Sequence, residues 1–206
     1  MKKILLLLSL CLPLTMFAQK TIDKKYMAGA VPEVNGKVVF QKDYELKGKT
    51  KAEIFTALNN YAQSILKGEN QLPQCKIIKS DEENGLIAVN MEEWLYFRRS
   101  ALVTHRTRFF YQLLFQIKDG GYNVMLRNIH YLYDEERNIN GGIQYTAEDW
   151  ITDKYAIVKH GTKLSRLSGK FRTFTIDRKD QLFQDSYYAA GGKKKIKKVI
   201  EVEVEE

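Results

Sequence analysis

The alternation of hydrophobic and polar positions divides the chain into an early strand and helix, a long run of strands, and two later helical segments. Gly36 to Leu46 holds the strand formers Val38, Val39, Phe40 and Tyr44 behind an Asn35-Gly36 turn, which predicts the first strand. Thr50-Lys51-Ala52-Glu53 is a capping box: the Thr50 hydroxyl accepts from the Glu53 N–H while the Glu53 carboxylate reaches back. Ile54, Phe55, Leu58, Tyr61, Ala62, Ile65 and Leu66 then recur at helical spacing, with Gly68 expected as a left-handed stop.

Cys75 to Ser80 and Leu86 to Phe97 read as strands around an Asp81 to Gly85 turn. Thr107 to Lys118 and Tyr122 to Tyr133 form a hairpin about Asp119-Gly120. A two-residue turn pairs Ile117 with Tyr122, Phe115 with Val124, Leu113 with Leu126, Tyr111 with Asn128 and Phe109 with His130, giving one apolar face. The opposite face is mixed: Gln116 with Asn123, Leu114 with Met125, Gln112 with Arg127, Phe110 with Ile129, Arg108 with Tyr131. A half-apolar second face is either covered by later segments or used for binding.

Residues 138–142 form a flexible connection. Thr146 then caps an expected helix carrying Ala147, Trp150, Ile151 and Val158 and ending before Gly161. Gly161 to Lys170 reads as loop. Asp177 and Asp180 open a last helix with Leu182, Phe183, Tyr187 and Ala190, stopped by Gly191-Gly192. Lysines then pass into Ile200, Val202 and Val204 alternating with Glu201, Glu203 and Glu205: a solvated tail, or a strand added to a sheet edge or a partner.

The first residues change the picture most. Met1-Lys2-Lys3 is basic, Ile4 to Leu14 is apolar, and Ala18 precedes a cleavage point, so residues 1–18 are expected to be a secretory signal. Lipidation at Cys11 is disfavoured because Leu10 is not small. The apolar run is short of the roughly 20 residues of a membrane span, and no transmembrane span is expected in the mature chain. The expected organisation is one domain over 19–190 and a charged tail over 191–206. Export, to the periplasm or cell envelope or beyond, argues against nucleotide-driven and gene-regulatory roles. The net charge of +8 falls to +6 without Lys2 and Lys3, a moderate excess suited to acidic glycan, anionic lipid or protein rather than nucleic acid. Cys75 remains alone, so no internal disulfide forms in the mature chain.

Catalytic chemistry is hard to find. His105, His130 and His160 are too scattered to suggest a metal cluster, and no cofactor is implied. Asp149 and Asp153 fall four apart on one face of the proposed helix, explained by helix-dipole preference and solvated pairing with lysines. Asp134-Glu135-Glu136 lacks the spaced ligands of a calcium loop and reads as a solvated strand end. There is no Gly-x-Ser-x-Gly elbow or phosphate-cradling glycine loop, and Cys75 reads as a buried small hydrophobe.

One constellation stands out. Between Trp94 and Tyr111, aromatic residues alternate with arginines, and the mixed sheet face adds apolar positions. Trp94, Tyr96, Arg98, Arg99, Arg106, Arg108, Phe110, Leu114, Met125, Arg127 and Ile129 are the candidate contact surface. Aromatic and guanidinium groups together stack on sugars and on aromatic side chains. The plainer reading is a core strand with arginines reaching to solvent.

Three segments carry a resemblance: Ala28-Gly29-Ala30-Val31-Pro32-Glu33-Val34-Asn35-Gly36-Lys37-Val38-Val39-Phe40, Glu148-Asp149-Trp150-Ile151-Thr152-Asp153, and Thr175-Ile176-Asp177-Arg178-Lys179-Asp180. They resemble an exported Gram-negative bacterial family, a domain of unknown function with a TBP-like fold. The resemblance implies an α+β architecture, a curved antiparallel sheet in the order β-α-β-β-β-β-α with helices on one face. It supplies no catalytic residues, and a TBP-like fold does not imply DNA binding.

The leading expectation is therefore a non-enzymatic binding or assembly module using a sheet face, its partner an envelope protein, acidic glycan or lipid. The alternatives are a lipid or small-ligand carrier with a cavity between helix and curved sheet, and a hydrolase with a scattered site around Asp149, Asp153 and His160.

Overall fold

The computed structural model of the chain describes residues 23–193 apart from Leu102 and Arg137. The expected signal, Cys11 and the charged tail past Lys193 lie outside the described residues.

A 3-10 turn, Lys24–Tyr26, precedes a two-stranded ribbon, β1 (Glu33–Val34) and β2 (Lys37–Val38), closed by Asn35 and Gly36 at positive φ of 50° and 71°. Then follow β3 (Phe40–Glu45), α1 (Lys51–Ile65), β4 (Lys76–Asp81), β5 (Leu86–Arg99), β6 (Thr104–Lys118) and β7 (Gly121–Tyr133). After β8 (Ile143–Thr146) come the short helices α2 (Ala147–Trp150) and α3 (Asp153–Ala156), a small hairpin of β9 (Ile157–Val158) and β10 (Lys163–Leu164), and α4 (Ser168–Ala189). The main sheet is antiparallel in the order β3-β7-β6-β5-β4, with β8 pairing β7 beyond the end of β3. The expected β-α-β-β-β-β-α order is present as β3, α1, β4 to β7 and α4.

α1 forms where the capping box predicted, with Thr50 and Glu53 engaged reciprocally. Its buried stripe of Ile54, Phe55, Leu58 and Ala62 lies on the sheet. Truncating Leu58, which is completely buried, would cost about 2–5 kcal/mol. Gly68 does not adopt a left-handed conformation; its missing side chain instead leaves room for Gln71, whose Oε1 would lie 2.1 Å from an added Cβ.

Three further expectations are corrected. The helix after Thr146 is two four-residue helices, because the chain turns at Ile151 and restarts at a new cap, Thr152. The expected loop over 161–170 contains β10, and residues 143–146, which carried no expected element beyond the Thr146 cap, form β8. α4 begins at Ser168 rather than near Asp177, because polar Arg172, Thr175 and Ser186 lie on its buried face with the apolar residues.

The register expected for the β6–β7 hairpin holds from Lys118 opposite Gly121 to Gln112 opposite Arg127. Beyond that, Asn128 and Ile129 together oppose Tyr111, a bulge that shifts every later pair: Phe109 meets Tyr131, Phe110 meets His130 and Arg108 meets Leu132. Asn128 takes the left-handed turn of the bulge at φ 54°, a conformation asparagine tolerates better than most residues.

Candidate binding face

α1 and α4 pack against each other and on one face of the sheet, with α2 beside them over β7 and β8. Under them lie Ile87, Val89, Phe109, Leu113, Phe115, Val124, Leu126 and Tyr131, all completely buried. Period-two geometry puts the alternate residues of β5, β6 and β7 on the other face, where Trp94, Tyr96, Phe110, Leu114 and Met125 are only partly buried. The helices thus leave that second face bare.

Strand pairing arranges this face in rows. Lys79, Ala88, Leu114, Met125 and Gln41 lie side by side across the sheet, forming an apolar centre. Beside them runs a polar ladder in which Arg127 Nε donates to Gln112 Oε1 (2.8 Å) and Gln112 Nε2 donates to Asn90 Oδ1 (3.1 Å). The next row holds Glu92, Phe110 and His130; the Phe110 and His130 rings stack at 4.5 Å, almost parallel. Last come Trp94 with Arg108 and Tyr96 with Arg106, where the Arg106 guanidinium lies 3.7 Å over the Trp94 ring.

The arginines of this corner are held by their own chain. Arg106 donates to Glu136 at 2.9 Å and to the Tyr96 hydroxyl at 3.4 Å, while Arg108 lies 3.3 Å from Glu92 and 3.4 Å from Glu135. Arg99 lies over the Tyr96 ring and pairs with Glu69. Glu136 is solvated, as expected for this strand end, while Glu135 is partly buried; both also serve as counter-ions of the aromatic-arginine cluster. Hydrogen bonds to Tyr96 and Glu136 raise the Arg106 pKa further, against the opposing effect of burial. This corner is preorganised and largely charge-neutral.

Of the candidate contact residues, Trp94, Tyr96, Arg106, Arg108, Phe110, Leu114, Met125 and Arg127 share this bare face, with Arg98 and Arg99 exposed at its end. Ile129 does not: the bulge turns it under the helices, where it is 2 % exposed. His130 takes the expected place of Ile129 opposite Phe110. The signal for this was an inconsistency in the uniform register, which put Asn128 and His130 on an otherwise apolar face.

The covered face holds a second arrangement that the sequence did not suggest. Glu93, 2 % exposed, receives Arg178 Nε and Nη2 at 2.7 and 2.8 Å, Gln71 Nε2 at 2.8 Å and the Tyr111 hydroxyl at 3.2 Å. Burial pushes the Tyr111 phenol well above its usual range, with the Glu93 charge adding to it. Burial by itself would lower the Arg178 pKa, but the bidentate Glu93 carboxylate more than reverses this and raises it. Both oxygens of Glu93 are engaged twice, so the group serves as an ionic tie between β5 and α4 rather than as a free base.

Residues weighed for catalysis have other work. The Thr146 hydroxyl accepts from Asp149 N–H and donates to the Asp149 carboxylate, whereas Asp153 binds Arg172 (2.7 Å) and Gly29 N–H (2.8 Å). The two belong to different helices, not to one helical face. His160 sits in the β9–β10 turn at φ 52°. Cys75, half-buried just before β4, donates to the Glu92 carbonyl at 3.0 Å. Among the described residues no group of His, Cys, Asp and Glu side chains comes together to hold a metal ion, and no helix is long and apolar enough to cross a membrane.

The architecture is that of an α+β, TBP-like protein with a one-sided helical layer. Residues 40–132 match the family described as "Domain of unknown function (DUF4468) with TBP-like fold". A DUF4468 family protein from Bacteroides ovatus ATCC 8483, known from its crystal structure, is 40% identical with a TM-score of 0.76, over 84% of this chain and 98% of that one. The chain belongs to this family. A TBP-like protein from Parabacteroides distasonis ATCC 8503, 24% identical, shares the fold with a TM-score of 0.59 over 78% of this chain and 96% of that one. No curated protein matches the chain.

Proposed function

We propose that this is an exported, non-enzymatic binding or assembly module of the cell envelope, and that the bare sheet face contacts a partner protein. The observation that carries the proposal is the Trp94–Arg106 stack beside the Leu114–Met125 centre, on the face without helices. Trp, Tyr and Arg are the side chains that most often anchor protein interfaces, particularly when they are already held in place. Internal pairing of Arg99, Arg106 and Arg108 makes an acidic glycan or lipid a poorer match than a protein surface that is itself partly aromatic. The carrier reading has less support. The layer between helices and sheet is filled by Ile54, Leu58, Phe109, Phe115 and Phe171, all completely buried.

The test is a photo-crosslinking residue at Leu114, with a second at exposed Asn60 on α1 as control. A defined adduct in envelope preparations from Leu114 and not from Asn60 supports the proposal. Equal adducts from both positions, or none from Leu114, contradict it.

A further inference from the structure

Arg127 is a cation that its own chain leaves half-satisfied. Lys79, Arg99, Arg106 and Arg108 each have a carboxylate within 3.4 Å. Arg127, in the middle of the bare face, does not: among the described residues it makes no ion pair, and its hydrogen bond is the one from Nε to Gln112 Oε1 at 2.8 Å. Gln112 is itself held, donating through Nε2 to Asn90 Oδ1 at 3.1 Å. A guanidinium has five N–H donors, so both Nη groups of Arg127 are left without a protein acceptor. The side chain is also partly buried, so its charge is neither fully hydrated nor neutralised.

Its surroundings are ordered. The row of Leu114 and Met125 lies on one side of the Gln112–Arg127 row, and the stacked Phe110 and His130 lie on the other. Two-residue steps along β6, from Leu114 through Gln112 to Phe110, put these rows about 7 Å apart. The face thus presents in succession an apolar patch, a positive fork and an aromatic stack.

We propose that the partner protein of the bare face presents to Arg127 a glutamate or aspartate flanked on both sides by apolar side chains. The inference rests on the reading of this face as a contact surface and specifies what that surface recognises. A carboxylate fits because its two oxygens accept from both Nη groups at once while Nε stays with Gln112. The bond to Gln112 also holds the fork in advance, which lowers the cost of ordering it on binding. An apolar group set on Arg127 would instead take the charge out of water with nothing in exchange. A polyanionic glycan or lipid surface needs a run of free cations, whereas Arg106 and Arg108, farther along the face, are already neutralised. An extended partner segment repeats its inward side chains about every 7 Å, so apolar, acidic and apolar residues at alternate positions match the three rows.

Two peptides test this, acetyl-Leu-Ser-Glu-Ser-Phe-amide and the same sequence with glutamine for glutamate, each titrated into the methionine-labelled chain from Gln19 onward. Binding is read from the methyl of Met125, two residues from Arg127, with Met91 beneath the helices as the reference for an intact fold. The glutamate peptide is expected to bind about fivefold more tightly than the glutamine peptide, and Arg127→Gln to remove that preference. Arg127→Lys keeps the charge without the fork and is expected to retain part of the preference. Arg166→Gln, which removes a charge from an exposed position between β10 and α4, is expected to retain all of it. Equal affinities in the parent, a preference that survives Arg127→Gln, no response at Met125, or tighter binding of trigalacturonate than of the glutamate peptide overturns the proposal. The Leu114 photo-adduct is read independently. Loss of the peptide preference with the adduct intact refutes the carboxylate alone, whereas loss of the adduct refutes the face.

Discussion

Arg172 is completely buried, and its Nη2 meets the Asp153 carboxylate at 2.7 Å. The same guanidinium donates to the carbonyls of Tyr26, Met27 and Ile151. Asp153 in turn accepts from Gly29 N–H, Glu148 accepts from Val38 N–H, and Asp177 accepts from Lys25 and Tyr26. The three segments through which the sequence resembles its family therefore converge on one another. Their side chains tie the N-terminal segment to α2, α3 and α4, which explains why such polar motifs carry no catalytic pattern.

Arg172→Met strands three buried carbonyls and is expected to destabilise the fold by about 3–5 kcal/mol. Arg172→Lys recovers only part of this, since a single ammonium does not replace a planar fork that serves four acceptors. Asp153→Asn, at a partly exposed position, costs less than Arg172→Met. Urea unfolding followed by tryptophan fluorescence gives the order.

The Glu93–Arg178 tie predicts a marked departure from additivity. Glu93→Leu or Arg178→Leu alone leaves an uncompensated buried charge and is expected to cost about 3–5 kcal/mol. The double variant is expected to be more stable than the sum of the two losses by over about 1 kcal/mol. Equilibrium unfolding of the four proteins completes the cycle.

At the bulge, Asn128→Gly keeps the left-handed turn and is expected to leave stability within about 1 kcal/mol of the parent. Asn128→Val forces a β-branched residue to φ 54° and is expected to cost about 1–2 kcal/mol. If Val is tolerated as well as Gly, the bulge is not where the strain lies. Thermal unfolding of both variants distinguishes the two.

Titration gives predictions at both ends of the pH scale. The Asn84 side chain and N–H, then Lys79, hold the Asp81 carboxyl down at about 2. With the folded value below the unfolded one, its contribution is present above the usual carboxylate range and is lost as pH falls toward about 2. Carbon-detected NMR of Asp81 reads this directly. Burial pushes the phenols of Tyr61, Tyr111, Tyr122 and Tyr131 above their usual range. Because the unfolded chain releases those protons first, stability falls above about pH 10, and their ultraviolet ionisation signal coincides with unfolding.

Local chemistry made much of this fold legible in advance. The Thr50–Glu53 box and the Asp119-Gly120 hairpin depend on residues next to one another, and both stand where they were expected. The bulge at Asn128 reverses the phase of the buried positions, from Val124 and Leu126 to Ile129 and Tyr131, and a uniform two-residue register carried through it hides that change. α4 was read as starting late for a related reason. Arg172, Thr175 and Ser186 look like surface residues until their partners, Ile151 and Asp153, Tyr131, and Tyr122, are brought from elsewhere in the chain. The bare face was legible in composition, and ten of its eleven proposed members lie on it or at its end. Its internal neutralisation was not, since Glu92, Glu135 and Glu136 reach the arginines only through the register of β5, β6 and β7.

Methyl NMR of the chain from Gln19 onward, labelled at methionine, tests the central claim most directly, because the protein carries its own control. Met125 lies on the bare face and Met91 beneath the helices at 3 % exposure. On titration with solubilised envelope protein, the account predicts that Met125 shifts or broadens while Met91 stays in place, and that Trp94→Ala with Arg106→Ala abolishes the change. A response at Met91 without one at Met125, or a Met125 response untouched by the double variant, would contradict the assignment of this face.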